Sequence, residues 1–280
     1  MIRFEPLCLC TNSVPGKDLF HALDLARACG FTYVELAAID GISEQVNVDL
    51  LTDEALGQIR AGLESRGLAC FAVSGHCDMT DPPSFRRLLQ KLRFAGAVGA
   101  RFLNTRCGPP ERYDVFLKNV REAAALAREL GVTLQLESYG DIVGIASQCG
   151  PVFAELEGLQ VGYTYDTGNN FRFARGAVDQ AADLRAGAVT PTYLHLKDAS
   201  LLDGWICNEA IGGGQLGVPG VLSPLEGRTP VIPCGLELPT SFRVWAEDLS
   251  FDFLSPDDQA VLETIRSSVD YLRRYASFDL

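Results

Sequence analysis

Apolar positions along the chain follow two periods that alternate. Leu19, Phe20, Leu23 and Ala26 fall at helical spacing, as do Phe85, Leu88, Leu89 and Leu92, and again Phe116, Val120, Ala123, Ala127 and Leu130. Between such stretches lie short, β-rich apolar runs centred near residues 8, 34, 71, 102, 134, 163, 194 and 233. The junctions repeat as well. "ARACGFTYVEL" (26–36), "AGAVGARFLN" (95–104) and "ARELGVTLQLE" (127–137) each read as a helix tail, a glycine that can end it, and a strand. Eight strands recurring about every 30 residues predict an α/β protein, a (β/α)8 TIM barrel in a single domain over residues 1–280. An open doubly wound sheet is the competitor, but "CLCTNSVPGKD" stands where its G-x-G-x-x-G fingerprint belongs. Residues 200–230 and 239–255 read as irregular loops, and residues 256–276 as a final helix.

Composition narrows the picture without changing it. With 47% apolar and 21% charged residues over 280 positions, the chain can bury a large core. A net charge of -12 and a pI near 4.7 argue against a nucleic-acid partner, whose phosphates demand clustered Lys and Arg. Residues 1–30 carry no basic segment followed by a long apolar run, and no stretch is apolar enough to span a bilayer, so a soluble cytoplasmic protein without a membrane partner is expected. The nine cysteines contain no C-x-x-C pair and read as reduced and structural. Cys8 and Cys10 share one side of the first strand, where buried packing is favoured over a metal.

In such barrels chemistry sits at the carboxyl ends of the strands. Four successive runs in the second half end in an ionisable residue: "VTLQLE" in Glu137, "VGYTYD" in Asp166, "PTYLH" in His195 and "PVIPCGLE" in Glu237. Three carboxylates and one imidazole at a single rim form a hard donor set for one divalent metal, with Mn²⁺ the first expectation and Mg²⁺, Co²⁺ or Zn²⁺ admissible. Any one acid after a strand is more often a cap or a solvated charge, but three converging carboxylates repel unless positive charge lies among them.

With "GFTYVEL", "LES", "YDTGN", "HLKD" and "GLELP" in this order, nearly the whole chain resembles the xylose isomerase-like TIM barrels. These include sugar isomerases and epimerases, inosose-processing enzymes and apurinic endonucleases. The resemblance implies that Glu137, Asp166, His195 and Glu237 bind one metal, and "WICNEAIGGGQLG" is similar to the family's glycine-rich loop over the site. The endonuclease branch carries extra histidines for a trinuclear zinc site. Here Asn169, Ile206 and Asn208 occupy such places and "RFLNTRCG" has none, leaving only His76 as a match.

The expectation is a divalent-metal-dependent isomerase or epimerase acting on a small ketose, hydroxy-keto acid or cyclitol through a metal-stabilised enediolate. The resemblance implies Glu137 and Glu237 as the pair exchanging the α-proton from opposite faces. The alternative is a dehydratase or lyase of the inosose or dehydroshikimate type; a non-catalytic binding or partner subunit ranks below both. His76, Lys197, Asn169, Arg106 and Trp205 are candidates for substrate contact. For three of them a structural reading stands beside it: local satisfaction for His76, a solvated side chain or pairing with Asp198 for Lys197, a subunit contact for Trp205. Glu35 is read as a buried structural salt bridge. Family members are often dimers or tetramers, so a homo-oligomer stays open.

Overall fold

The computed structural model describes residues 2–280. Its strands in chain order are β1 (Ile2–Cys10), β2 (Tyr33–Ala37), β3 (Ala69–Ser74), β4 (Phe102–Thr105), β5 (Thr133–Glu137), β6 (Val161–Asp166), β7 (Tyr193–Leu196), β8 (Asp198–Leu202), β9 (Trp205–Glu209), β10 (Ile232–Leu236), β11 (Phe242–Trp245), β12 (Phe251–Phe253) and β13 (Ala276–Phe278). Strands β1 to β7 and β10 pair in parallel in that order, and β10 pairs back with β1. The sheet therefore closes into the eight-stranded barrel that the alternating periods predict, with helices between successive strands. The long helices are α1 (Leu19–Ala28), α2 (Asp53–Ser65), α3 (Pro82–Ala97), α4 (Tyr113–Glu129) and, last in the chain, Asp258–Leu272. Apart from α4, each begins at an Asp or Thr (Asp18, Thr52, Asp81 and Asp257) whose side chain accepts the backbone N–H of His21, Ala55, Ser84 or Ala260 respectively. Gly30, Gly99 and Gly131 follow α1, α3 and α4 with φ of 89°, 78° and 70°, the left-handed conformation that stops a helix at low cost in glycine. Among the described residues no helix is long and apolar enough to cross a membrane.

The main core lies between barrel and helices, where outward residues such as Leu7, Leu9, Val34, Leu36, Leu103 and Leu134 meet the apolar helix faces. Inside the barrel the layers differ in kind. The lower layer is apolar: Phe71 packs edge-on against Tyr33 and Phe102 and stacks near Tyr193, with Cys8 among them. Above it the inward positions turn polar, through Glu35, Asn104, Thr164 and His195, all without solvent exposure. Strand register decides which polar residues meet, because Asp166 stands opposite His195, and His195 opposite Gly235, two residues before Glu237.

Two segments differ from the loop reading of residues 200–230 and 239–255. Strands β8, β9, β11 and β12 form a separate four-stranded antiparallel sheet. β8 and β9 turn on Asp203 and Gly204, whose φ values of 48° and 82° are those of a tight two-residue hairpin. "LLDGWI" carries that signal openly, as Asp-Gly between apolar flanks. β11 and β12 lie 30 or more residues downstream and are only four and three residues long, too short for periodicity to register. The sheet packs Ala199, Ile206 and Val244 on Phe171. β13 adds a further short strand beside β1.

Gly235 is fixed by close approach. A Cβ there would lie 2.7 Å from Cys10 Sγ and 2.9 Å from His195 Cδ2. Gly235→Ala is expected to cost about 1–3 kcal/mol by overpacking and to lower the thermal midpoint by several degrees, read by calorimetry.

Candidate metal centre

Glu137 ends β5, Asp166 ends β6, His195 lies one residue before the end of β7, and Glu237 follows β10 directly. All four are buried, and one donor atom from each lies within 4.8 Å of the others. His195 Nδ1 sits 3.0 Å from Glu237 Oε2, 3.3 Å from Glu137 Oε2 and 3.7 Å from Asp166 Oδ2.

Each ligand candidate is held by its other atom. Asn169 Nδ2 donates to Glu137 Oε1 at 2.6 Å, and Asn12 Nδ2 donates to Glu237 Oε1 at 2.8 Å. Asp166 Oδ1 accepts from the backbone N–H of Asn169 at 2.8 Å, which fixes the carboxylate at the start of a short helix, Thr167–Phe173. His195 Nε2 lies 3.0 Å from Glu35 Oε2, while Asn104 and the Tyr193 hydroxyl also donate to Glu35, each at 2.8 Å. What remains is Glu137 Oε2, Glu237 Oε2 and His195 Nδ1, buried and without a hydrogen-bond partner, although the Lys197 ammonium lies 3.0 Å from Glu237 Oε2 as an ion pair. Buried polar atoms left bare are costly, and three aimed at one point fit a cation. The donors, three carboxylate oxygens and one imidazole nitrogen, suit a hard or borderline divalent ion such as Mn²⁺, Mg²⁺, Co²⁺ or Zn²⁺.

The charges agree. Four carboxylates, from Glu35, Glu137, Asp166 and Glu237, face one imidazole and one ammonium. Burial alone would keep His195 neutral, but Glu35, Glu137 and Glu237 raise its pKa well above the ordinary value. Burial pushes Glu137 up to about 8. Burial also opposes ionisation of Asp166, yet the Lys197 ammonium, 2.6 Å from Oδ2, holds it well below the usual carboxylate range. Cys10 Sγ also lies near His195 and Glu237. Burial and Glu35 drive its thiol well up, so it stays protonated as a small buried group 3.6 Å from Glu35 Oε2.

Glu35, read from sequence as a structural ion pair, is placed to fix the tautomer and orientation of His195, with Nδ1 left to face the Glu137 and Glu237 carboxylates. Glu35→Gln is expected to weaken divalent-metal affinity by about 10- to 100-fold while leaving the fold intact, measured by calorimetric titration with Mn²⁺.

A cavity of about 340 Å³ opens beside the four residues and is lined by His76, Arg106, Asn169 and Lys197 of the sequence candidates. His76 Nε2 lies 3.5 Å from Glu137 Oε2; burial lowers its pKa well below the ordinary value, so the ring is neutral. Lys197 pairs with Asp166 and, at 3.0 Å, with Glu237 Oε2 rather than with Asp198. Gly168 makes room for it, since a Cβ there would meet Lys197 Cβ at 2.6 Å. Asp198 points the other way and accepts the backbone N–H groups of Gly212, Gly214 and Leu216, fixing the glycine-rich segment. Trp205 stands apart from the cavity lining. Its ring packs 5.0 Å from Trp245 and 4.2 Å beneath the Arg243 guanidinium, inside the added sheet. Asn12, Tyr139 and Arg172 line the cavity and were not singled out from the sequence. Asn12 was within reach, as a polar residue just past the first apolar run. Arg172 looks like any basic residue in a helix's last turn until its burial is known.

The xylose isomerase-like TIM barrel family matches residues 23–266 of the chain. The chain belongs to this family. No curated protein matches it. Among solved structures, it is similar to D-psicose 3-epimerase from Clostridium cellulolyticum H10, with a TM-score of 0.72 at 12% identity, covering 98% of this chain and 99% of that one. A xylose isomerase-like TIM barrel protein from Mycobacterium smegmatis, in complex with magnesium, superposes with a TM-score of 0.67 at 16% identity, covering 94% and 97%. The probable 3-DHS dehydratase AsbF from Bacillus anthracis gives 0.68 at 12% identity, covering 97% and 99%. At these identities the likeness is one of fold. The same barrel thus serves an epimerase, a probable dehydratase and a magnesium-bound protein, and members of the family commonly bind a divalent metal.

Proposed function

We propose that this protein is a divalent-metal-dependent isomerase or epimerase of a small polyhydroxy carbonyl compound, a ketose, hydroxy-keto acid or cyclitol. The observation that carries the reading is the matched pair of glutamates. Glu137 and Glu237 are each anchored through Oε1 by an asparagine, and their Oε2 atoms flank His195 Nδ1 at 3.3 and 3.0 Å, with Glu237 lining the cavity and Glu137 just behind the cavity-lining His76. Two fixed carboxylates in one cluster can take a proton from a carbon and return it, which is what isomerisation at an α-carbon requires. A divalent ion held by Glu137, Asp166, His195 and Glu237 would supply Lewis acidity to the carbonyl. The chain's own residues do the rest. Asn169 and Asn12 keep the carboxylates aimed, the neutral His76 offers a hydrogen bond to a substrate hydroxyl, and Lys197 places positive charge next to developing oxyanion character. Manganese is the cation of first choice for this donor set.

The test is proton exchange. Mn²⁺-loaded protein is incubated in D₂O with a panel of small ketoses, keto acids and cyclitols, and NMR reads deuterium at the α-carbon. Incorporation into isomerised product supports the reading; full retention of every substrate's protons refutes it. Loss of one water mass from a substrate in the same incubation would assign the protein to elimination chemistry, the reaction named for its dehydratase neighbour.

A further inference from the structure

The cavity has a second pole, away from the carboxylates. Arg172 lines it and is only 9% exposed, yet its Nε has no hydrogen-bond partner and no carboxylate pairs with it among the described residues. Its guanidinium is clamped by aromatic rings instead, with centroids at 4.6 Å (Phe173), 5.3 Å (Tyr139) and 5.9 Å (Phe251). On the same Tyr139 ring, at 5.8 Å, lies the guanidinium of Arg106, which also faces the cavity. The acids on this wall are already engaged. Asp40 is paired with Lys91 at 2.8 Å and Arg87 at 3.2 Å, and Asp78 accepts from the N–H and hydroxyl of Thr80. Two arginines sharing one tyrosine, one of them buried without an anion, leave an unanswered positive charge in a protein that is strongly acidic as a whole.

We infer that Arg172 and Arg106 form an oxyanion seat, and that the substrate of the metal site is an acid, bearing a terminal carboxylate or phosphate in addition to its hydroxyl and carbonyl groups. Stacking fixes the plane of each guanidinium, so that its N–H groups meet two oxygens of one anion at little ordering cost. The substrate assignment rests on the proposed isomerase reading; the anion seat does not.

The experiment titrates the Mn²⁺-loaded protein by calorimetry with ribulose, ribulose 5-phosphate and ribonate. The anionic ligands are expected to bind about 30-fold more tightly than ribulose, and their order of affinity tells phosphate from carboxylate. Arg172→Met, which keeps the apolar stem among the rings, is expected to bring them within about threefold of ribulose. Arg106→Gln, at a half-exposed position, carries the same test if Arg172→Met does not fold. Equal binding of all three by the wild type, or discrimination untouched in both variants, overturns the inference. Repeating the series in EDTA separates the two readings. A protein that never takes up Mn²⁺ but still prefers the anions loses the isomerase assignment and keeps the seat.

Discussion

Glu137→Gln and Glu237→Gln are each expected to slow α-proton exchange by about 10³-fold while the barrel keeps its circular dichroism and cooperative melting. Both substitutions keep side-chain volume, and each retains an amide oxygen able to accept the bond from Asn169 or Asn12. What they remove is a basic oxygen at the Oε2 position. The two variants should also differ from each other. If the glutamates work from opposite faces of the substrate, one variant retains exchange of one epimer and loses the other, which NMR in D₂O resolves directly. Wild-type exchange from both would leave the carboxylates without a catalytic role. Because the same groups are the proposed metal ligands, Mn²⁺ affinity must be measured beside the rate, with turnover compared at saturating metal.

The second large effect concerns the cation and pH together. At a free Mn²⁺ concentration about 1,000 times its dissociation constant, the folded state gains about 4 kcal/mol. For a chain of this size that raises the melting midpoint by on the order of 10 °C. The metal-free protein should show the opposite pH trend from the loaded one. Burial lifts Glu137 from 4.5 to about 8, so its contribution to stability is complete below 4.5 and disappears as pH climbs through about 8. His195, raised well above its ordinary value by its carboxylate neighbours despite burial, acts in the same direction. Metal uptake requires both groups deprotonated. At pH 7 it should therefore release on the order of one to two protons, detectable by calorimetry in buffers of different ionisation enthalpy, and apparent affinity should rise with pH between about 6 and 9. Proton uptake, or an affinity that falls over this range, would exclude the arrangement of protons drawn here.

The barrel was readable because each of its strands is an apolar run with a turn signal on either side. Glycines such as Gly30, Gly99 and Gly131 mark the helix ends independently of hydrophobicity. The rim residues were readable for a related reason. In a parallel barrel the first ionisable residue after each run has only one place to go, so linear position stands in for spatial position. That rule fails once contacts depend on packing between distant segments. Glu35 could be recognised as a buried acid, but its bond to His195 joins residues 160 apart in sequence. The pairing of Trp245 with Trp205 across 40 residues was invisible for the same reason. Arg172 was missed because burial of a charged side chain is a tertiary fact. Lys197 was read beside its neighbour Asp198; its bond to Asp166 joins residues 31 apart, which strand alternation alone does not show.

The peptide between Lys197 and Asp198 joins two structures that have separate tasks. On one side hangs the ammonium that pairs with Asp166 and Glu237; on the other, the carboxylate that gathers the glycine-rich segment and begins the added sheet. The added sheet thus starts one residue from a side chain that pairs with two of the four clustered carboxylate and imidazole residues. Transplanting residues 198–209 from a relative to alter selectivity would shift the lysine by whatever the new hairpin tilts, so a successful graft has to carry 195–216 as one block.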